Sequence, residues 1–286
     1  MVFNLDKHIQ EIRPLLKPPV GNKLMFSEQL KVMIVGGPNQ REEYHIEEGE
    51  ELFYMFKGYM DLEIIEQGAK RCVRINEGEM FALPPRVPHS PQRYPDTIGL
   101  VWERERGRSE MDGLRWYTKA SSGSVLDILY EEYFHCTDLG TQLKPIIEGF
   151  LGSESYATQT RMEGQPLPEP PVTVDTSVAV PTPIVLRDVL AALPAFDSNE
   201  PHVLFQGGEF EVEVRKGQSA GPLACTAGPM AVQEVFVYCL EGGGRVGDKT
   251  LAAGDVLYVR PQTGPVEVTT ENETLLLCVY NRFPFE

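Results

Sequence analysis

Histidine and cysteine are scarce in this chain of 286 residues, five of each. The cysteines (Cys72, Cys136, Cys225, Cys239, Cys278) are odd in number, scattered, and never form a C-x-x-C pair. That pattern excludes both a disulfide scaffold and a cysteine-built zinc site. Positive charge is also short, 26 Lys+Arg against 42 Asp+Glu for a net charge of −16. Such a field repels polyanions, so neither nucleic acid nor an anionic membrane surface is expected as a partner. Apolar runs such as Val178–Val180 and Leu275–Tyr280 fall far short of the roughly 20 residues of a membrane span. A Gly-rich phosphate loop is missing as well. The N-terminal residues Met1 to His8 lack the basic region, apolar core and cleavage site of a secretion signal, which points to the cytosol.

What is present alternates and turns. From Lys31 to about Arg106, short runs (Lys31–Val35, Glu51–Phe56, Leu62–Glu66, Cys72–Ile75, Met80–Leu83, Ile98–Glu103) are separated by Gly, Pro and Asn. Turn signals at roughly 8–12-residue spacing predict antiparallel strands of an all-β barrel. After Ser121 the period changes. Ser124-x-x-Asp127 reads as a capping box for a helix through Leu126, Leu129, Tyr130 and Tyr133, and a second helix is predicted over Thr141 to Phe150. Six prolines between Pro166 and Pro183 cannot sustain a helix or a central strand and predict a linker. Beyond a short helix at Leu186 to Leu193, strand-like runs resume at Phe210–Val214, Val232–Leu240, Val256–Val259, Val266–Thr269 and Leu275–Val279. Glu51 to Gly58 resembles Glu234 to Gly242, and Gly78 to Pro84 resembles Gly254 to Pro261. The chain therefore reads as a diverged internal duplication.

Three residues carry metal chemistry in this reading. A turn centred on Glu48 would make His45 and Glu51 opposed cross-strand neighbours, with Cβ atoms about 4.5–5.5 Å apart, close enough to share a metal. His89, after the turn Pro84-Pro85, supplies a third ligand. Two histidines and a carboxylate leave positions open and suit non-haem Fe(II), although zinc hydrolases also use His₂Glu. Glu47 is a candidate fourth ligand, with a supporting acceptor role preferred. Lone His8, His135 and His202 carry no such spacing and read as structural or exposed, Glu43, Glu48 and Glu50 as solvated turn charges, and Trp102 and Trp116 as core or pocket wall.

His45-x-Glu47-x3-Glu51-x6-Gly58 and Gly78-x5-Pro84-x4-His89 resemble the two motifs of the cupins. Glu47 replaces the usual second histidine of the first motif, and Arg86 and Arg93 replace the usual Gly and Asn of the second, so a three-ligand site follows. Longer strings resemble the animal-type, monomeric 3-hydroxyanthranilate dioxygenases: Pro19 to Met25, Lys31 to Asn39, Tyr44 to Glu51, Pro88 to Arg93 and Asp138 to Leu143. This resemblance implies an all-β chain of two cupin (double-stranded β-helix, jelly-roll) barrels with a few short helices. Residues 1–160 would form the catalytic barrel, 161–185 a Pro-rich linker and 186–286 a degenerate, metal-free barrel, since Pro229, Val235 and Pro265 align with His45, Glu51 and His89.

The resemblance further implies Fe(II)-dependent opening of the 3-hydroxyanthranilate ring by O2 to 2-amino-3-carboxymuconate semialdehyde, the precursor of quinolinate and NAD in the kynurenine route of tryptophan catabolism. His45, Glu51 and His89 would bind iron. Arg93, Glu103 and Glu51 would meet substrate, and Arg41 would lie on the oxygen side; Glu51, Glu103 and Arg41 are thus the candidate catalytic residues. On extended strands Arg41 and Arg93, each four residues from a histidine ligand, would share its face. Surface ion pairing is the alternative role for both arginines. A zinc or manganese isomerase or hydrolase, and a non-catalytic bicupin, are the competing functions.

Overall fold

The computed structural model describes residues 2–18, 21–121, 125–161, 166–193, 201–216, 223, 234–260, 266–271 and 274–282. In chain order the elements of the first half are β1 (Val2–Asn4), α1 (Leu5–Ile12), β2 (Asn22–Ser27), β3 (Leu30–Gly36), β4 (Tyr44–Ile46), β5 (Glu51–Lys57), β6 (Tyr59–Glu66), β7 (Ala69–Asn76), β8 (Glu79–Leu83), β9 (His89–Arg93), β10 (Ile98–Arg104), β11 (Asp112–Tyr117), β12 (Ile128–Phe134), α2 (Leu139–Leu151) and α3 (Glu154–Thr158). The second half holds β13 (Ile184–Val185), α4 (Leu186–Ala192), β14 (His202–Phe205), β15 (Phe210–Lys216), β16 (Glu234–Glu241), β17 (Gly243–Val246), β18 (Lys249–Ala252), β19 (Asp255–Val259), β20 (Val268–Thr270) and β21 (Leu275–Asn281). Two compact units result. The larger comprises Pro14–Met25 and Val32–Leu186, the smaller Met1–Arg13, Phe26–Lys31 and Arg187–Glu286.

In the larger unit two six-stranded sheets, ordered β13-β8-β5-β10-β3-β2 and β12-β11-β4-β9-β6-β7, face each other as a jelly roll. Both contribute to one core: Met33, Val35, Phe53, Met55, Phe81, Leu83 and Val101 from the first sheet, Met60, Leu62, Ile64, Val73 and Ile75 from the second. These residues alternate along their strands, as burial of one face of each sheet requires.

Two expectations fail here. The segment after Ser121 is strand β12, paired with β11 (Trp116 opposite Tyr130), instead of a helix. Leu129 and Glu131 are buried two residues apart, with Glu131 paired to Arg115, so this stretch alternates as a strand does and Glu131 is an interior ion-pair partner. Asp127 N donates to Ser121 Oγ at 2.8 Å, and Ser124 of the supposed capping box lies outside the described residues. The proline-rich segment is likewise no free linker. Val172 and Val180 are buried, Val180 joins the barrel core, and its N–H donates to Glu66 Oε1 at 2.6 Å. Proline forbids regular structure but leaves a side chain free to pack. The same strap holds Arg86, whose φ of +60° is the left-handed conformation a glycine would favour. The Asp175 N–H donates to its carbonyl at 3.0 Å. The predicted helix over Thr141 to Phe150 is present as α2, capped by Asp138, which accepts from Gly140 N.

The smaller unit repeats the plan with sheets β1-β19-β16-β21-β15-β14 and β18-β17-β20. The duplication is visible in the backbone. Gly58 and Gly242 have φ of +74° and +72°, Gly78 and Gly254 have +78° and +86°. Gly78 N donates to Met55 O, and Gly254 N to Cys239 O, each at 2.8 Å. The arms that flank the barrels are exchanged: β13 pairs with β8 of the larger unit, while β1 pairs with β19 of the smaller. Leu186 N accordingly donates to Gly78 O at 3.0 Å and Leu5 N to Gly254 O at 2.8 Å. Residues 1–13 thus complete the smaller unit, where a division at residue 160 had assigned them to the first barrel. Val235, aligned with Glu51, is fully buried in an apolar core with Val237, Leu257 and Leu276; Pro229 and Pro265 lie outside the described residues.

Glu234 is buried in the smaller unit, accepting from Leu30 N at 2.6 Å and from the Tyr258 hydroxyl. Burial outweighs both hydrogen bonds and raises its carboxyl above the ordinary value of 4.5. A raised carboxyl stabilises the fold fully below the unfolded pKa, and this contribution is lost as pH rises through the folded one. Glu234→Gln cannot titrate. The stability of the native chain relative to this variant is therefore expected to fall as pH rises past the ordinary carboxylate range, read by urea denaturation at a series of pH values; a pH-independent difference would contradict it.

Candidate metal centre

His45 and His89 are direct register partners on β4 and β9, and their rings lie 5.2 Å apart at 74°. Glu51 opens β5, in the opposite sheet. His45 and Glu51 are therefore not cross-strand neighbours as the turn reading expected: residues 47–50 carry the chain from one sheet to the other. The carboxylate nevertheless faces both rings, with Oε1 2.7 Å from His89 Nε2 and 3.8 Å from His45 Nδ1. All three residues are buried, and their ligand atoms lie within 4.8 Å of one another.

The outer nitrogen of each ring determines what the inner one offers. His89 Nδ1 lies 3.0 Å from the Val87 carbonyl, an oxygen that can only accept, so Nδ1 carries the hydrogen and Nε2 presents a lone pair to Glu51. His45 Nε2 lies 2.7 Å from Asp112 Oδ2, leaving Nδ1 as its inward lone pair. Burial lowers the His45 pKa, against the pull of Asp112, and favours that neutral ring. Glu51 Oε1 has no hydrogen-bond donor. Two ring lone pairs and an undonated carboxylate oxygen converging in a buried space repel one another unless a cation lies among them.

Charge points the same way. Four buried carboxylates (Glu47, Glu51, Glu103, Asp112) surround two buried guanidinium groups, Arg93 and Arg106, leaving two negative charges that a divalent ion would balance. In the metal-free protein burial raises Glu47 well above the carboxylate range, against the pull of Arg106, and the like charges of Glu51 and Glu103 add to the rise. Burial likewise pushes Glu103 up to about 7, partly offset by Arg106. The donor set fits a divalent metal with open positions. Glu47, Glu51 and Glu103 form a second cluster of ligand atoms within 4.8 Å, but Glu47 also pairs with Arg106, which suits it to supporting Glu51.

A cavity of about 50 Å³ opens over the triad, lined by Arg41, Arg93 and Glu103 together with Met33, Val35, Val101, Leu139 and Leu143. Arg93 ends β9, four residues beyond His89 on the same strand, and both line the cavity. Burial and nearby Arg41 lower its pKa to about 10, so it stays cationic at neutral pH. Glu103 follows Trp102, which pairs with Leu52, so it lies beside Glu51 across the strands. Leu139 and Leu143, one turn apart at the start of α2, supply an apolar wall.

Arg41 reaches the cavity from irregular chain outside any strand, contrary to the strand assumed for it. Its Nε donates to Glu43; Glu43, expected to be a solvated turn charge, is buried. The Gln92 side chain fixes the Arg41 backbone from both sides, accepting from its N–H at 3.1 Å and donating to its carbonyl at 2.8 Å. Sequence reading missed Gln92, Arg106 and Asp112: in Glu103-Arg104-Glu105-Arg106 the charges alternate as on a solvated turn, and Asp112-Gly113 is an ordinary turn pair.

The family described as 3-hydroxyanthranilic acid dioxygenase matches residues 1–151, a span that contains every cavity residue. The chain belongs to the 3-hydroxyanthranilic acid dioxygenase family. The 3-hydroxyanthranilate 3,4-dioxygenase of Rattus norvegicus is 45% identical over 239 residues, 83% of this chain and 80% of the relative. That of Danio rerio is 42% identical over 265 residues, covering 91% and 88%, and that of Homo sapiens 54% identical over 168 residues, covering 59% and 57%. Among solved structures, a salicylate 1,2-dioxygenase from Pseudaminobacter salicylatoxidans superposes with a TM-score of 0.55 at 12% identity, over 98% of this chain and 83% of that one. At that identity the likeness concerns the fold, an all-β cupin architecture.

Proposed function

We propose that this member of the 3-hydroxyanthranilic acid dioxygenase family binds Fe(II) through His45, Glu51 and His89 and opens the ring of 3-hydroxyanthranilate with O2 to give 2-amino-3-carboxymuconate semialdehyde. The observation that carries the proposal is the convergence of His45 Nδ1, His89 Nε2 and the donorless Glu51 Oε1 beneath a cavity that also holds Arg41, Arg93 and Glu103. Bound Fe(II) would supply sites for both reactants and the electrons that activate dioxygen. Both oxygen atoms end in the product, so no further reductant is needed.

The chain's own groups do the rest. Arg93, cationic and buried, binds the substrate carboxylate, which a guanidinium fork can grip through two hydrogen bonds. Glu103, with its pKa near 7, accepts the proton of the ring hydroxyl at neutral pH. Arg41, on the cavity wall and braced by Glu43 and Gln92, lies on the oxygen side. Val35, Val101, Leu139 and Leu143 hold the ring and exclude water. The proposal includes a monomer acting in the cytosol on small molecules, with neither nucleic acid nor membrane as partner, in the supply of quinolinate for NAD. Among the described residues no helix is long and apolar enough to cross a membrane.

Anaerobic loading with Fe(II), then substrate and air, is expected to give equal consumption of O2 and 3-hydroxyanthranilate with an ultraviolet-visible rise of the semialdehyde. His45→Ala and His89→Ala are each expected to abolish both signals. Ring opening by protein loaded with redox-inert Zn²⁺ would overturn the role of iron, and turnover of another substrate without oxygen uptake would favour a hydrolase or isomerase.

A further inference from the structure

Arg106 lies just past β10 and is buried. Its guanidinium forks onto Asp112, Nε to Oδ1 at 2.9 Å and Nη2 to Oδ2 at 2.8 Å. Nη2 also lies 3.0 Å from Glu103 Oε2 and pairs with Glu47, while Nη1 donates to the Arg104 carbonyl at 3.0 Å. The Asp112 oxygen gripped by Nη2 is the one that faces His45 Nε2 at 2.7 Å. One planar cation thus touches both the carboxylate behind a metal-binding histidine and the carboxylate on the cavity wall.

We propose that Arg106 is a positioning residue, holding Asp112 so that His45 Nδ1 faces the metal and holding Glu103 toward the substrate. Its Glu103 half rests on the function proposed above; its His45 half rests on geometry alone. The fork fixes the carboxylate plane of Asp112, and that plane directs the His45 N–H. A lysine would supply the charge but not the planar fork that grips both Asp112 oxygens through two nitrogens. Removing the cation altogether leaves three buried carboxylates without their common counter-charge. A purely structural arginine would behave differently. Its replacement would lower the folded fraction, while each folded molecule bound metal and turned over as before.

The test uses the full chain with Arg106→Lys and Arg106→Met. Added Co²⁺ reports metal affinity and, through its visible absorption band, the ligand geometry, with no reaction required. Loss of a partner behind a ligating histidine costs about 10–100-fold in metal affinity or activity. Arg106→Lys is expected to weaken Co²⁺ binding within that range, shift the band, and lower kcat per bound iron by a larger factor than it raises KM. Affinity, band and kcat per bound metal all within about twofold of the native protein would overturn the proposal. Should Arg106→Met fail to fold, the Lys variant is paired with Asp112→Asn. The double variant is then expected to lose less Co²⁺ affinity than the product of the single losses, and strictly multiplicative losses would overturn the proposal. If the native protein takes up no oxygen with 3-hydroxyanthranilate, the proposed function falls, and the Co²⁺ affinity and band still decide the role of Arg106 toward His45.

Discussion

Glu51→Ala is expected to lower metal affinity by more than about 100-fold, beyond the loss that attends an outer partner of a ligating residue, and to abolish oxygen uptake. Glu51 is the one member of the triad from the first sheet, and its Oε1 closes the space between the two ring nitrogens. Without it, the two histidines on β4 and β9 remain as a pair. The metal-free protein is expected to be no less stable after the change, because one of four crowded carboxylates is gone. Scanning fluorimetry separates the effects. A metal at a hundred times its Kd stabilises the native chain by about 2.7 kcal/mol, or about 5–10 °C in a protein of this size, and is expected to leave the variant unmoved. A variant that still gains thermal stability from the metal would remove Glu51 from the ligand set.

Val180→Asp is expected to destabilise the larger unit by about 3–5 kcal/mol, the cost of a charge placed in a core without a partner. Val180 is 6% exposed and packs into the barrel core. Its backbone already donates to Glu66, so the new carboxylate would stand near a like charge. Ala179→Asp, one residue away and exposed, is the control and is expected to stay within about 0.5 kcal/mol of the native chain. Urea denaturation compares the two. Equal midpoints would restore the proline-rich segment to a free linker.

The contrast between these two sites shows what the sequence made legible. Strand positions followed from alternation and turn residues, because burial of one sheet face leaves a period of two in the chain. The triad was legible because histidine is scarce and its spacing to Glu51, Gly58 and Gly78 is a motif. How the triad meets was not: the crossover at residues 47–50 exchanges sheets, and a turn sequence does not reveal which sheet its far side joins. Glu43, Glu131 and Arg106 look like surface charges, since burial of a charged group depends on a partner supplied by distant chain. The strand at Ile128–Phe134 was misread for the same reason. Its buried Glu131 concealed the alternation until Arg115 was placed opposite.

The exchanged arms give the second barrel a structural reason to persist. Each barrel's outermost paired strand comes from the segment preceding the other, β1 on β19 and β13 on β8. In two separate chains this arrangement would be a strand-swapped dimer; here the swap is sealed within one polypeptide. Deleting the second barrel would therefore strip β1 of its partner β19 and leave the first barrel's β8 paired with an arm whose continuation is gone. The activity proposed for one half thereby depends on the presence of the other.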